Sequence, residues 1–203
     1  MKCKCGKGEV VAVRGGDNTK CSRCNRQFRM ADYLGELGIP KKFQASTLAD
    51  FPKFKAVDVS LLLTGPAGTG KTHLAIALLV NDILNTPMGV SLPVAFTSMI
   101  NLLSRIKATF SKSASETEED IVSYFCKVPN LYIDDIGVEQ ATDWALARVY
   151  QIIDYRWSNE LRTVFTSNFD LNQLAEKMDV RISSRIGGMA SVISLTGADR
   201  RRK

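Results

Sequence analysis

Downstream of residue 58 the chain alternates two kinds of apolar pattern. Short unbroken apolar runs, bounded by polar or turn residues, predict buried strands at 60–64, 93–98, 130–134, 163–167 and 191–195. Between them lie longer stretches with helical periodicity. These predict helices at 71–84, 99–110, 117–127 and 142–160, and short helices across 171–187. Strands alternating with helices imply a parallel sheet covered on both faces. The polar segment SKSASETEED (111–120) breaks the pattern and reads as a mobile loop. Upstream, MADYLGELGIP (30–40) predicts a short helix stopped at Gly38 and Pro40. Residues 39–58 lack sustained periodicity and read as a connector. The expected organisation is a small N-terminal module at 1–38, a connector at 39–58 and an α/β domain at 59–203.

The longest apolar stretches, such as LAIALLV (74–80), fall far short of the ~20 residues that span a bilayer. The start, MKCKCGKGEV, lacks the apolar core of a secretory signal. A soluble, cytoplasmic protein is expected, with no membrane partner. With 45% apolar and 24% charged residues, the composition excludes a disordered or fibrous chain. The net charge of +6 is carried entirely by the first 60 residues, while the remainder balances. A basic segment of this kind suits nucleic acid or an acidic protein face.

Four of the five cysteines, Cys3, Cys5, Cys21 and Cys24, lie in that basic segment. They form a C-x-C pair and a C-x-x-C pair on either side of a predicted hairpin: EVVAV (9–13) has strand character and GGDN (15–18) is a turn sequence. Two close pairs brought together in this way suit a tetrahedral Cys₄ zinc site. A module this small buries too little apolar surface to fold without a staple. Disulfides are the other possibility, and an intracellular setting disfavours them. Thiolates on zinc would lower the local positive surplus. Cys126, in VSYFCKV, reads as a core residue.

The strand at 60–64 leads into GPAGTGKT (65–72) and then the helix at 71–84. This is the strand–loop–helix setting that the P-loop pattern requires. Gly65, Gly68 and Gly70 let the backbone of the loop, with Pro66, Ala67 and Thr69, wrap closely around phosphate. The helix start favours an anion. Lys71 reaches the β- and γ-phosphates of a nucleotide such as ATP, and Thr72 can ligate Mg²⁺. His73, the chain's one histidine, reads as structural support beside the nucleotide. NLYIDDIG (130–137) ends an apolar strand in two acids, where unpaired carboxylates are costly. Asp134 would hold Mg²⁺ and Asp135 would orient or deprotonate the attacking water. TVFTSN (163–168) supplies Asn168 for the γ-phosphate or the water. In DVRISSRI (179–186), Arg181 and Arg185 share a helical face. They could serve as an arginine finger toward a neighbouring subunit, or simply form a solvated face. The terminal GADRRRK (197–203) could contact nucleotide or fray.

Taken together, GPAGTGKTHLA (65–75), IDDIGVE (133–139), TSNF (166–169), RISSRI (181–186) and GADRR (197–201) resemble an AAA+ ATPase of the bacterial replicative helicase-loader family. That family is the DnaC/DnaI type, with the transposition helper IstB as a near relative. The resemblance runs from about residue 39 to the C-terminus. It implies a sheet of order 5-1-4-3-2, ATP bound between subunits of a homo-oligomer, and handling of single-stranded DNA while a hexameric helicase is loaded. It assigns Lys71 and Thr72 to Walker A, Asp134 and Asp135 to Walker B and Asn168 to sensor 1. Arg185 matches the arginine finger and Arg201 a sensor-2-like position. It further implies that the N-terminal module docks on the helicase. The helix after the second strand would face a DNA channel, with Arg105, Lys107 and Lys112 as phosphate contacts. No separate C-terminal lid is expected.

Three functions follow. The first is an ATP-driven loader that delivers a replicative helicase to single-stranded DNA. The second is a transposition helper that assembles on DNA and recruits a transposase. The third is an adaptor that uses ATP only as an assembly switch; Asp135, where Glu is commoner, is consistent with it. Nothing suggests the acceptor pocket of a small-molecule kinase.

Overall fold

The computed structural model describes residues 30–55, 57–86, 94–111, 114–138 and 142–199. Five strands, β1 (Ser60–Thr64), β2 (Val94–Ser98), β3 (Asn130–Asp134), β4 (Thr163–Ser167) and β5 (Ala190–Ser194), form one sheet in the order β2-β3-β4-β1-β5. Every neighbouring pair is parallel. Read from the other edge, this is the 5-1-4-3-2 order that the resemblance implies. The helices are α1 (Met30–Glu36), α2 (Lys71–Asn85), α3 (Met99–Ala108), α4 (Glu118–Lys127), α5 (Asp143–Ser158), α6 (Leu171–Lys177) and α7 (Val180–Met189). Among the described residues, no helix is long and apolar enough to cross a membrane.

Local chemistry sets the helix starts. The side chains of Ser98, Thr117, Thr142, Asp170 and Asp179 each accept a backbone N–H from the first turn of the helix that follows. Thr117 with Asp120, and Asp170 with Gln173, complete reciprocal capping boxes. β1, β3 and β4 bury both faces along most of their length, as the inner strands of a parallel sheet do, while the edge strand β5 is largely exposed. Leu61 and Leu63 of β1 point to one core with α2, Val164 and Tyr132. Leu62 points to the other, with Ile133, Phe165 and buried faces of α3, α4, α5 and α7. Cys126 is buried in this second core, as expected.

The segment read as a connector is more ordered than its sequence pattern suggests. Single 3₁₀ turns at Lys41–Phe43 and Leu48–Asp50 fold it back on the domain, the second capped by a Thr47–Asp50 box. Ile39 and Phe51 enter the same core as Leu61 and Leu63, together with Met30 and Leu34 of α1. Its apolar residues follow the irregular path of tight turns, so no helical or strand period could show. The four clustered cysteines, Cys3, Cys5, Cys21 and Cys24, lie outside the described residues. Among the described residues no group of three or more His, Cys, Asp or Glu side chains is placed to hold a metal ion.

Arg156 on α5 is fully buried. No carboxylate meets it among the described residues. Instead its Nη1 donates to the carbonyls of Phe125, Cys126 and Val128 at 3.0, 3.1 and 2.7 Å. Nη2 donates to Arg162 O at 2.7 Å and Pro129 O at 3.3 Å, and Nε donates to Thr163 Oγ1 at 2.8 Å. Burial lowers its pKa to about 10, still far enough above neutral to keep the charge. The fork thus ties the end of α4 and the turn into β3 to α5 and β4. Arg156→Met strands several buried acceptors, each costing about 1–3 kcal/mol. Urea denaturation should show a loss of roughly 3–5 kcal/mol. Arg156→Lys should recover little of it, because an ammonium cannot reproduce the planar fork.

Candidate nucleotide site

The carboxyl ends of β1, β4 and β3 lie side by side, and the site is built on them. After Thr64 the loop passes through three glycines with left-handed φ: Gly65 at 133°, Gly68 at 82° and Gly70 at 101°. Close contacts add to the conformational demand at two of them. A Cβ on Gly65 would stand 2.1 Å from Leu195 O, and one on Gly68 1.8 Å from Asp199 Oδ1. Gly70 starts α2 without a side-chain cap, which leaves the first-turn N–H groups for a ligand. Pro66 and Ala67 form the exposed tip, and the Thr69 hydroxyl closes the turn onto Pro66 O at 2.9 Å.

Lys71 is only 5% exposed. Its Nζ donates to Gly65 O, Pro66 O and Asn168 Oδ1 at 2.8, 2.9 and 2.8 Å. The ammonium therefore already spans the loop of β1 and the tip of β4. Asp134 Oδ1 accepts from the hydroxyls of Thr72 at 2.9 Å and Thr166 at 2.6 Å. Burial raises the Asp134 pKa, opposed first by the Thr166 hydrogen bond; the adjacent Asp135 charge raises it further. A dehydrated carboxylate beside a threonine hydroxyl is a donor set for a hard divalent cation. Thr166 also accepts the Asp135 N–H at 2.9 Å, and Asp135 adopts a φ of 55°. Asp135 lines one cleft with Gly68, Gly70, Lys71 and Asn168, and its carboxylate accepts no hydrogen bond among the described residues. The glycine cradle, the loop-spanning lysine and the oxygen ligands fit a nucleoside triphosphate with Mg²⁺.

His73 lines the same cleft. Its Nε2 lies 3.2 Å from Asp50 Oδ2, and its ring is edge-on to Phe51 at 5.1 Å. It joins α2 to the folded-back connector. That connector brings Lys42 and Phe43 to the cleft mouth. Sequence reasoning missed both, because they sit in a segment without periodicity. It also passed over Thr166, although the residue stands inside the quoted TSNF.

Other anticipated residues lie elsewhere. Arg185 pairs with Asp154 at 2.6 Å, and Arg181 with Asp179 at 2.7 Å; neither lines the cleft of its own chain. On α3, Arg105 donates to both oxygens of Glu116 at 2.7 and 2.9 Å, while Lys107 is exposed. Lys112 and Arg201 fall outside the described residues. The chain leading to Arg201 runs beside the loop, since Leu195 N donates to Thr64 O at 2.7 Å and Asp199 abuts Gly68.

Comparison with known proteins agrees with this geometry. A family profile described as IstB-like ATP binding protein matches residues 19–197. The replicative helicase loader DnaC of Buchnera aphidicola subsp. Baizongia pistaciae is 34% identical, across 81% of this chain and 72% of its own length. Among solved structures, DnaI superposes with a TM-score of 0.61 at 26% identity, covering 80% of this chain and 94% of DnaI. The DnaC helicase loader gives 0.62 at 21% identity, over 77% and 100%, and there the likeness is one of fold. The profile takes in the whole sheet and every residue of the phosphate loop, and the chain belongs to the IstB-like ATP-binding protein family.

Proposed function

We propose that this protein is an ATP-dependent loader that delivers a hexameric replicative helicase onto single-stranded DNA when replication initiates. The observation that carries this reading is the extended identity to a protein named as a replicative helicase loader, across most of both chains. It would act in the cytoplasm of a bacterial or phage-infected cell, at the nucleoid.

In this reading ATP is the substrate. The loop residues 65–70 and the start of α2 hold its phosphates, and Lys71 neutralises them. Thr72 and Asp134 would hold Mg²⁺, which when bound offsets the charge of the phosphate oxygens. Asp135 takes the proton of the attacking water, and Asn168 keeps Lys71 and that water in place. Arg185 acts on the site of a neighbouring copy. Arg201 serves as a sensor-2-like contact. Arg105, Lys107 and Lys112 meet DNA phosphates, which for Arg105 means exchanging Glu116 for the nucleic acid. Residues 1–38 form the helicase-docking module, with one zinc ion on Cys3, Cys5, Cys21 and Cys24. Residues 39–58 join it to the ATPase domain at 59–203, with His73 bonded to Asp50 as the link to the nucleotide.

The family description also keeps a transposition helper in view, in which the same site drives assembly on DNA and recruitment of a transposase. Capture experiments separate the two. The full chain, immobilised with ATP, should retain a purified replicative helicase and not a transposase. Metal analysis of protein prepared without chelators should find one zinc per chain. The double variant Cys21→Ser/Cys24→Ser should lose both the zinc and the helicase, while Cys126→Ser keeps both. Retention of the transposase alone would overturn the loader reading.

A further inference from the structure

Helix α5 carries Tyr150, Asp154 and Trp157 at i, i+4 and i+7, so the three side chains share a face. Helix α7 packs against α5 and carries Arg181 and Arg185 one turn apart. The two stripes interlock. The Arg181 guanidinium lies 4.9 Å over the Tyr150 ring. One turn on, Arg185 donates its Nε–H to Asp154 Oδ1 at 2.6 Å, and its Cζ lies 4.0 Å over the Trp157 ring. The Tyr150 hydroxyl donates to the same Asp154 oxygen at 3.3 Å. Gly188 adjoins the arrangement: a Cβ there would come within 3.1 Å of Trp157 Nε1, so a larger residue would press on the indole.

This cluster sits at the surface. The side chains of Arg185 and Asp154 are 32% and 35% exposed. An ion pair so exposed adds little to stability. Its physical effect is on orientation, because a carboxylate at Nε and an aromatic face below leave a long, flexible side chain few rotamers. Capture of phosphate oxygens through the Nη1–Nη2 edge is compatible with a carboxylate on Nε.

We propose that Asp154 and Trp157 are positioning residues for Arg185, holding its guanidinium ready for the nucleotide site of a second copy before the two chains meet. The inference rests on the reading of Arg185 as a residue acting in trans. The test is steady-state ATP turnover of the full chain with Mg²⁺ and single-stranded DNA. Asp154→Ala should lower kcat by about 10–100-fold, the scale of a misplaced reacting group, with KM for ATP changed less than about twofold. Asp154→Asn should recover most of the rate, since its amide oxygen still accepts from Nε. Added to Arg185→Ala, Asp154→Ala should cost nothing further. Trp157→Leu repeats the test should Asp154→Ala fold poorly, and should lower kcat with KM kept. Wild-type or faster turnover by Asp154→Ala beside a slow Arg185→Ala overturns the positioning role alone. So does a further loss when the two are combined. Wild-type turnover by Arg185→Ala removes the finger reading itself.

Discussion

Asp135→Asn should bind ATP with near wild-type affinity and hydrolyse it about 10²–10⁴-fold more slowly, the range a positioned general base supplies. The two adjacent acids differ in their surroundings. Asp134 is half-buried and takes hydrogen bonds from Thr72 and Thr166, which suits it to holding a cation. Asp135 is turned by its left-handed backbone and lines the cleft beside Lys71 and Asn168, where a water could be oriented. Lys71→Ala should behave in the opposite way. The ammonium bridges Gly65, Pro66 and Asn168, so its loss removes phosphate neutralisation and the tie that shapes the loop. Nucleotide binding itself should then vanish. Fluorescent-nucleotide titration and single-turnover hydrolysis, run on both variants, separate the roles. Hydrolysis at the wild-type rate by Asp135→Asn would remove it as the base.

Arg185→Ala, which should hydrolyse slowly, and Lys71→Ala, which should not bind nucleotide, should recover partial hydrolysis when mixed. Arg185 is held on its own chain by Asp154 and does not line its own cleft, so the finger role proposed for it requires the site of another copy. Each variant spoils a different half of a shared site, and some mixed interfaces join an intact phosphate loop to an intact arginine. Arginine fingers contribute ~10³–10⁵ in rate in well-characterised NTPases; a smaller loss is expected here, because a loader need not turn over quickly. Arg185→Ala alone should keep the ATP affinity of the isolated chain. Two folded variants that co-assemble and show no recovery would place Arg185 outside the reaction.

The sheet was readable because its signals are local. Each strand is a short apolar run, and five of the loop-to-helix junctions carry their own capping side chain. The observed helices and strands therefore fall within one or two residues of the expected ends. The phosphate loop was readable because its spacing has few other physical uses. The rest depends on partners distant in the chain. Arg156 looks in sequence like any polar residue of a surface helix; only the carbonyls of 125–129 reveal it as a buried tie. Ile39 and Phe51 follow no period, so their burial shows only once α2 and β1 are in place. Arg185 was found by pattern, but Asp154 and Trp157, on α5, carry no motif.

The strand order has a consequence in time as well as in space. β1 and β3 carry the phosphate loop and the two acids, yet they are not neighbours: β4 stands between them and pairs with both. Leu61 and Val164, partners across that junction, are about a hundred residues apart, a long-range closure of the kind that slows folding. A chain emerging from the ribosome exposes the loop and both acids before it has the strand that spaces them. Until β4 threads into the gap, Asp134 lacks the Thr166 hydroxyl and Lys71 lacks the Asn168 amide oxygen. A nucleotide that prefers the completed site thus draws the insertion of β4 toward completion through mass action.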